Sequence, residues 1–234
     1  MNYLMLVCTD GVSTPEIAAT MQEHMPKWVE EMDSRGVRLL GNGLEGLDSA
    51  KTVRVRNGET LISDGPFADT KEFIAGLDIL EAESLDEAIE VVARHPVSWH
   101  FSIELRPFKY PVDVPQDWTY GQLRYLLMSC LERNAEPDDV EEQLRGDIEA
   151  WVEMADARGA RLLGGPLAAP STATTVRVRD GKTLLTDGPF AETKEFLAGI
   201  DILSCQTMEE ALELAASNPL ARTHTLEVRP FWGG

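Results

Sequence analysis

The first forty residues carry two different apolar patterns. An unbroken apolar run at residues 3–8 (YLMLVC) predicts a buried strand. Apolar residues then recur every three to four positions over residues 17–32, which predicts a helix with one apolar face. Thr14 and Pro15 are suited to the N-cap and first turn of this helix, and Gly36 is suited to its end. The chain is therefore predicted to begin with a strand that is followed by a helix.

The next part of the chain changes to strand patterns and ends with one more helix. Residues 52–56 (TVRVR) alternate apolar and basic side chains, and the following Asn-Gly at 57–58 predicts a β-hairpin. Residues 73–80 form another apolar run. Residues 84–87 (SLDE) have the spacing of a capping box at the start of a second helix, and residues 99–108 read as a last strand. With a second short strand predicted at residues 37–40, before the hairpin, this completes a β-α-β, hairpin, β-α-β order.

The whole order then occurs a second time. The stretch DGPFADTKEF at residues 64–73 reappears as DGPFAETKEF at residues 187–196. Over residues 52–80 and 175–203, 22 of 29 positions are identical. The chain is therefore predicted to be α+β, with two ferredoxin-like (βαββαβ with inserted hairpin) repeats.

The repeat also predicts the domain organisation. We expect one domain at residues 1–110, a polar, proline-containing linker at 111–121, and a second domain at 122–234. A sheet with both helices on one face leaves its other face bare. Two copies in one chain can cover that face mutually, as two subunits would, which predicts an intramolecular pseudo-dimer. A further homodimer of the fused chain stays open.

Composition and charge limit the classes of binding partner expected for the chain. The 234 residues carry a net charge of −19, which disfavours nucleic acid and anionic membranes as partners. Cys8 and Cys130 fall in apolar strands at equivalent places, and Cys205 completes no CxxC pattern, so reduced thiols and a cytoplasmic location are expected. We expect no signal peptide, because the start lacks a basic segment, and no apolar run approaches the length of a membrane span.

Three stretches of sequence resemble a known family. The loop at residues 187–195, the preceding TVRVRDG at 175–181 and the terminal EVRPF at 227–231 are similar to the DGPF (DGPFAETKE) branch of the YCII-related proteins. The resemblance covers nearly all of both copies. It implies a dimeric α/β-barrel, here as a fused pseudo-dimer. It also implies an extracytoplasmic-function sigma factor as a possible partner, because DGPF members often accompany such factors.

The resemblance also suggests an acid–base pair that this chain matches only in part. Other YCII relatives carry a His on the first helix and an Asp-Pro before the last strand. His24 occupies the first of these positions, whereas the second reads His95-Pro96 in one copy and Asn218-Pro219 in the other. His24 is therefore either a helix-surface residue or a catalytic base.

The last strand of each copy carries polar residues at every second position. If the apolar residues between them face the helices, the polar ones share the opposite face. These are candidate ligand-binding residues: His100, Glu104, Arg106, Glu227 and Arg229. Two interpretations stay open. The Glu and Arg side chains could form buried ion pairs, or they could form the polar floor of a cavity that binds a carboxylate or phosphate.

The repeated loop supplies the remaining candidate catalytic groups. An acid, a lysine and a second acid lie within nine residues of each other in both copies, as proton transfer would require. They are Asp64, Lys71 and Glu72 in the first copy, and Asp187, Lys194 and Glu195 in the second. The alternative is structural: the Asp accepts backbone N–H groups in the turn, and Lys and Glu form a solvated ion pair.

The remaining patterns limit the chemistry. The strand arginines at 54, 56, 177 and 179 are expected to protect exposed sheet edges from pairing. The sequence has no phosphate-binding glycine motif and no metal-ligand spacing, so we predict no cofactor and no metal.

Two functional hypotheses follow. The first is an α/β-barrel protein that binds a small organic molecule in the cavity between the copies, with cofactor-free acid–base chemistry of an isomerase or lyase type if it is an enzyme. The second is a non-enzymatic regulatory or interaction protein associated with a sigma factor.

Overall fold

The computed structural model describes residues 1–67, 72–132, 137–190 and 195–233, and both repeats have the same element order. The first repeat contains β1 (Asn2–Thr9), α1 (Pro15–Ser34), β2 (Arg38–Gly43), β3 (Lys51–Arg56), β4 (Glu59–Asp64), β5 (Phe73–Glu81), α2 (Leu85–Ala93) and β6 (Ser102–Pro107). The second contains β7 (Tyr125–Glu132), α3 (Pro137–Ala157), β8 (Arg161–Pro166), β9 (Thr174–Arg179), β10 (Lys182–Asp187), β11 (Glu195–Leu203), α4 (Met208–Ser217) and β12 (Thr225–Pro230). The predicted α+β order is confirmed.

The helix caps and the helix-ending glycine predicted from the sequence are present in the structure. The Thr14 hydroxyl accepts the N–H of Ile17 at 3.2 Å and caps α1. Gly36 ends the helix with φ of 66°, a left-handed conformation that favours glycine. The Ser84 hydroxyl caps α2 in the same way by accepting the Glu87 N–H at 3.2 Å. No described helix is long and apolar enough to cross a membrane.

The described strands form two six-stranded antiparallel sheets, and each sheet contains strands of both repeats. The orders are β10-β9-β6-β1-β5-β2 and β4-β3-β12-β7-β11-β8. Each sheet therefore joins the four ferredoxin-like strands of one repeat to the hairpin of the other. Ile103 of β6 pairs with Val176 of β9, and Leu226 of β12 pairs with Val53 of β3.

This hairpin exchange also defines two compact units. The first unit comprises residues 1–43, 70–111 and 168–192, and the second comprises 44–69, 112–167 and 193–234. The division differs from the sequence repeats because residues 44–69 and 168–192 belong structurally to the opposite repeat. The sequence analysis did not predict this exchange, and the domain boundaries drawn from the repeat stay a prediction about sequence.

The helices pack on one face of each sheet. Ile103, Leu105 and Met5 lie in the core cluster of the first unit together with Trp28, and Val176 of the donated hairpin lies there too. In the second unit the donated Val53 lies in the equivalent cluster. The expectation that Ile103 and Leu105 face the helices is confirmed, which turns Glu104 and Arg106 to the opposite face.

Candidate functional site

The repeated loop of the second repeat, which begins at Asp187, is hydrogen-bonded to β6, the last strand of the first repeat. The N–H of Phe190 donates to Glu104 Oε2 at 3.1 Å. Next to it, the Gly188 N–H donates to the Ala173 carbonyl at 2.9 Å, and the Gly188 carbonyl accepts the Thr175 hydroxyl at 2.9 Å. Gly188 has φ of 98°, which an L side chain rarely adopts. The turn is thus specified by glycine and anchored by a buried carboxylate.

The first repeat's loop has the same anchorage in the second unit. The Phe67 N–H donates to Glu227 Oε2 at 2.9 Å. Gly65, with φ of 95°, donates its N–H to the Ala50 carbonyl at 2.9 Å and accepts the Thr52 hydroxyl at 2.9 Å. The same arrangement therefore occurs in both units.

Each anchoring glutamate also holds an arginine two residues later. Arg106 Nη1 lies 3.0 Å from Glu104 Oε1, and Arg106 Nε donates to the Ala168 carbonyl at 3.2 Å. Both side chains are buried. Burial raises the pKa of the Glu104 carboxyl, although Arg106 and the Phe190 N–H act in the opposite direction. Of the two interpretations of these residues, buried ion pair or polar floor of a cavity, the contact between Glu104 and Arg106 matches the buried ion pair.

The second unit repeats this pair. Arg229 Nε donates to Glu227 Oε1 at 2.9 Å, and Arg229 Nη2 contacts the same oxygen. Glu227 is 0% exposed and Arg229 is 2% exposed. Four of the five residues predicted to bind a ligand thus hold each other and the two loops, and a bound anion would have to compete with these contacts.

The acids of the loop lie in different surroundings. Asp64 ends β4 with its side chain exposed, and its carboxylate accepts a hydrogen bond from Lys51 Nζ at 2.5 Å, which lowers its pKa. Asp187 ends β10 and is exposed, with Thr174 opposite it where the first hairpin has Lys51. The structure therefore places both aspartates at the exposed ends of edge strands.

Glu72 lies beside the donated hairpin. Its carboxylate is 3.4 Å from Arg177 Nη2, while Arg177 Nε donates to the Ser102 hydroxyl at 2.6 Å. Lys71 and Lys194, which were predicted to move protons, lie outside the described residues, and so does the side chain of Glu195.

The strand arginines have a role that the sequence analysis interpreted wrongly. β3 and β9 are not edge strands, because β4 and β10 lie outside them. Arg179 uses its guanidinium to bind the carbonyls of Ser98 at 3.1 Å, Trp99 at 3.0 Å and His100 at 2.7 Å. Arg56 binds carbonyls of the second unit in the same manner. These arginines fasten the exchanged hairpins rather than protect an edge.

His100 and Cys8 lie near the arginines of the donated hairpin, Arg179 and Arg177. His100 Nε2 is buried and has no hydrogen-bond partner among the described residues. Cys8 is a free, buried thiol, and burial raises its pKa well above its usual value, with Glu104 adding to the effect. A thiol of this kind is a poor nucleophile.

His95, at the position where the resemblance implies an acid, acts as a cap of the 3₁₀ turn Pro96–Trp99. Its Nδ1 accepts the N–H of Val97 at 3.2 Å, and Asn218 Oδ1 accepts the N–H of Leu220 at 2.9 Å in the second unit. Burial lowers the pKa of His95 to about 3, and the charge of Arg38 adds to the decrease. His95 is therefore a neutral hydrogen-bond acceptor, and the same position tolerates Asn because Asn can also accept.

His24 lies in a surface cleft of the first unit. The cleft has a volume of about 330 Å³, at the small end of ligand pockets, and lies between α1, the end of α2 and the 3₁₀ turn Pro96–Trp99. The His24 ring makes an edge contact with Trp99, with centroids 5.1 Å apart. The lining residues are His24, Lys27, Trp28, Glu31, Ala93, Arg94 and Trp99.

Sequence reasoning found only His24 of this cleft. Lys27, Trp28 and Glu31 follow His24 by three, four and seven residues on α1, a helical spacing that places them on one face and could have been read from the sequence. Ala93, Arg94 and Trp99 come from two other elements, and no local motif connects them to α1. One signal was available: His24 and Trp99 both change in the second repeat, to Asp147 and Arg222, which form an ion pair at 3.5 Å. The exchange of one interacting pair for another is consistent with contact between the two positions.

Comparisons with known proteins agree with the duplication. The model of the YCII-related domain matches residues 1–109 and again residues 124–232, so the tandem repeat is confirmed. An uncharacterized protein of Rhizobium meliloti (strain 1021) is 46% identical over 99 residues, which covers 35% of this chain and 80% of that protein.

A solved structure, described as a novel heme-binding protein from Thermus thermophilus, is 10% identical. It covers 98% of this chain and 90% of its own, with a TM-score of 0.46. The assignment of this chain therefore rests on the domain matches.

Proposed function

The chain belongs to the YCII-related domain family, and from this premise we propose that it is a small-molecule-binding protein whose ligand occupies the His24 cleft. One observation carries the proposal: the cleft combines aromatic walls with charged groups. Such combinations of apolar surface and a few polar groups are typical of ligand sites.

Binding is better supported than catalysis. Glu104, Arg106, Glu227 and Arg229 already have fixed partners. The exposed Asp64 and Asp187 lie at strand ends, outside the residues that line the cleft. Acid–base chemistry of an isomerase or lyase type would use His24, which is the predicted catalytic residue that lines the cleft. It remains the finer form of this proposal.

A thermal-shift screen tests the proposal. We expect at least one class within a library of small organic acids, amines and neutral compounds to raise the melting temperature of the wild type. The shift should be lost in His24→Asp and Trp99→Arg, which carry the residues of the second repeat. The matched control is Arg222→Ala, which should keep it. A library without a stabilising compound, or a shift that persists in both cleft variants, contradicts the proposal.

The family resemblance adds finer claims about location and shape. Closure of the two sheets into a barrel is a further expectation from the resemblance, and small-angle X-ray scattering of the intact chain would test it. Cytoplasmic location also stays a prediction, which fractionation of the native host would check.

A second candidate function is a regulatory interaction, with a sigma factor as the expected partner. The observation in its favour is the exposure of two large apolar side chains on each edge strand: Leu61 and Ile62 on β4, and Leu184 and Leu185 on β10. Exposed edge strands can pair with another chain. Co-elution with a purified extracytoplasmic-function sigma factor, lost in the double variant Leu184→Lys and Leu185→Lys, would support it, and separate elution would exclude that partner.

A further inference from the structure

The charges of the His24 cleft differ from those of the chain as a whole. The sequence carries a net charge of −19, but the cleft is lined by two cations, Lys27 and Arg94, and one anion, Glu31. Excess positive charge in a cleft raises the local concentration of anions. The lining residues therefore favour an anionic ligand over a cationic one once Glu23, the partner of Lys27, is displaced.

Both cations can still bind a ligand. Arg94 donates to Glu31 from Nη2 at 2.6 Å, and among the described residues its Nε and Nη1 have no hydrogen-bond partner. Lys27 lies 3.5 Å from Glu23 in a pair whose side chains are both well exposed. Exposed pairs of this kind contribute little, so Lys27 can exchange Glu23 for a ligand at small cost.

The aromatic side chains of the cleft indicate which apolar group the ligand carries. Trp28 is nearly buried and its indole N–H already donates to the Val91 carbonyl at 3.2 Å. Trp99 is 36% exposed, so part of its indole ring faces solvent beside the His24 ring. A planar apolar group gains most from such surroundings, because aromatic rings favour edge and offset stacking contacts.

The charged residues of the cleft are replaced at the corresponding positions of the second repeat. Lys27 becomes Ala150, Glu31 becomes Met154 and Arg94 becomes Ser217. Trp28 is kept as Trp151, which makes the same type of indole hydrogen bond, to Leu214, in the core. The shared scaffold therefore needs the buried tryptophan, whereas the cations and the exposed tryptophan are particular to the first repeat.

From these observations, and on the premise of the small-molecule function above, we propose that the cleft binds a small aromatic carboxylate. The ring lies against Trp99 and His24, and the carboxylate is held by Arg94 and Lys27. Arginine suits this role because its planar fork can bind Glu31 and a second carboxylate at different nitrogens.

Isothermal titration of the intact chain with 1-naphthoate tests this ligand class. Two matched compounds separate its requirements: naphthalene-1-carboxamide lacks the charge, and cyclohexanecarboxylate lacks the aromatic ring. We expect 1-naphthoate to bind at least about tenfold more tightly than either compound, a difference of about 1.4 kcal/mol.

Variants that carry the second repeat's residues locate the site. Arg94→Ser and Trp99→Arg should each weaken 1-naphthoate binding by about tenfold or more, and Lys27→Ala by less, since Lys27 is the more exposed cation. Ser217→Ala, in the second unit, should leave the affinity unchanged. Arg94 is an exposed surface residue, so a loss in Arg94→Ser can be separated from misfolding by its unchanged melting temperature.

The outcomes distinguish this inference from the function on which it rests. If the library screen finds ligands that need His24 and Trp99 but 1-naphthoate does not bind, the ligand class is wrong and small-molecule binding stands. Equal affinity for cyclohexanecarboxylate, or 1-naphthoate binding unchanged in both Arg94→Ser and Trp99→Arg, also overturns the ligand class. If no compound binds at all, both proposals fail.

Discussion

In the first unit, Glu104 pairs with Arg106 and accepts the N–H of a phenylalanine from the opposite repeat, and in the second unit Glu227 does the same with Arg229. On the helical side, the two units differ. The ring contact between His24 and Trp99 in one becomes an ion pair between residues 147 and 222 in the other.

The difference separates what the fold requires from what it allows. The Glu–Arg pairs hold the exchanged loops in the same way in both units. The positions that line the cleft in the first unit carry mostly different residues in the second, whereas the order of elements is the same in both. A surface that can diverge without cost to the fold is where a particular binding function is expected.

The largest predicted effect tests the shared contact. Glu104→Ala and Glu227→Ala should each lower the free energy of unfolding by about 3–5 kcal/mol, because each removes the carboxylate partner of a buried arginine and the acceptor of a loop N–H. Urea denaturation would measure the change. Glu104→Gln keeps an oxygen for the Phe190 N–H and should cost less than Glu104→Ala.

The control for this pair of variants is Glu59→Ala on the exposed edge strand β4, which should change stability by less than about 0.5 kcal/mol. If Glu104→Ala and Glu227→Ala both fell within the range of the control, the anchoring role of these carboxylates would be wrong. A large cost in one unit alone would show that the two units are not equivalent.

A smaller effect concerns the cap that is His95 in one unit and Asn218 in the other. Burial keeps the pKa of folded His95 at about 3, below its ordinary value of 6.5. The unfolded chain thus binds the extra proton as the pH falls below 6.5, and the stability that neutral His95 contributes is lost progressively between pH 6.5 and 3. At pH 5 the loss amounts to about 2 kcal/mol.

His95→Asn introduces the second unit's residue and keeps an acceptor for the Val97 N–H. We expect its stability at pH 7 to be close to that of the wild type, and its loss between pH 7 and pH 5 to be smaller by about 2 kcal/mol. Chemical denaturation at the two pH values measures this difference. Identical pH dependence in variant and wild type would show that His95 titrates normally in the folded chain.

These comparisons also indicate how far the sequence could lead. The element order, the helix caps and the face of the last strand followed from period and spacing, because such signals act between residues close in the chain. The hairpin exchange did not follow, since β6 and β12 each accept a hairpin of nearly the same sequence and no local pattern distinguishes which repeat supplies it. The hydrogen bond from the Phe190 N–H to Glu104 was missed for a related reason: its donor is a backbone group, which any residue type can supply.

The smallest predicted effect concerns the ion pair that replaces the cleft contact. Asp147 and Arg222 are 3.5 Å apart with both side chains 62% exposed, so a double-mutant cycle to alanine should give a coupling energy below about 0.5 kcal/mol. Raising the salt concentration to 1 M should abolish it, because the screening length then falls to about 3 Å. The same cycle on His24 and Trp99 should give about 0.5–1.5 kcal/mol, nearly independent of salt, as expected of an aromatic contact. Equal salt dependence of the two couplings would mean that both units use their helical surface in the same electrostatic way, and the argument for a ligand cleft in the first unit alone would lose its basis.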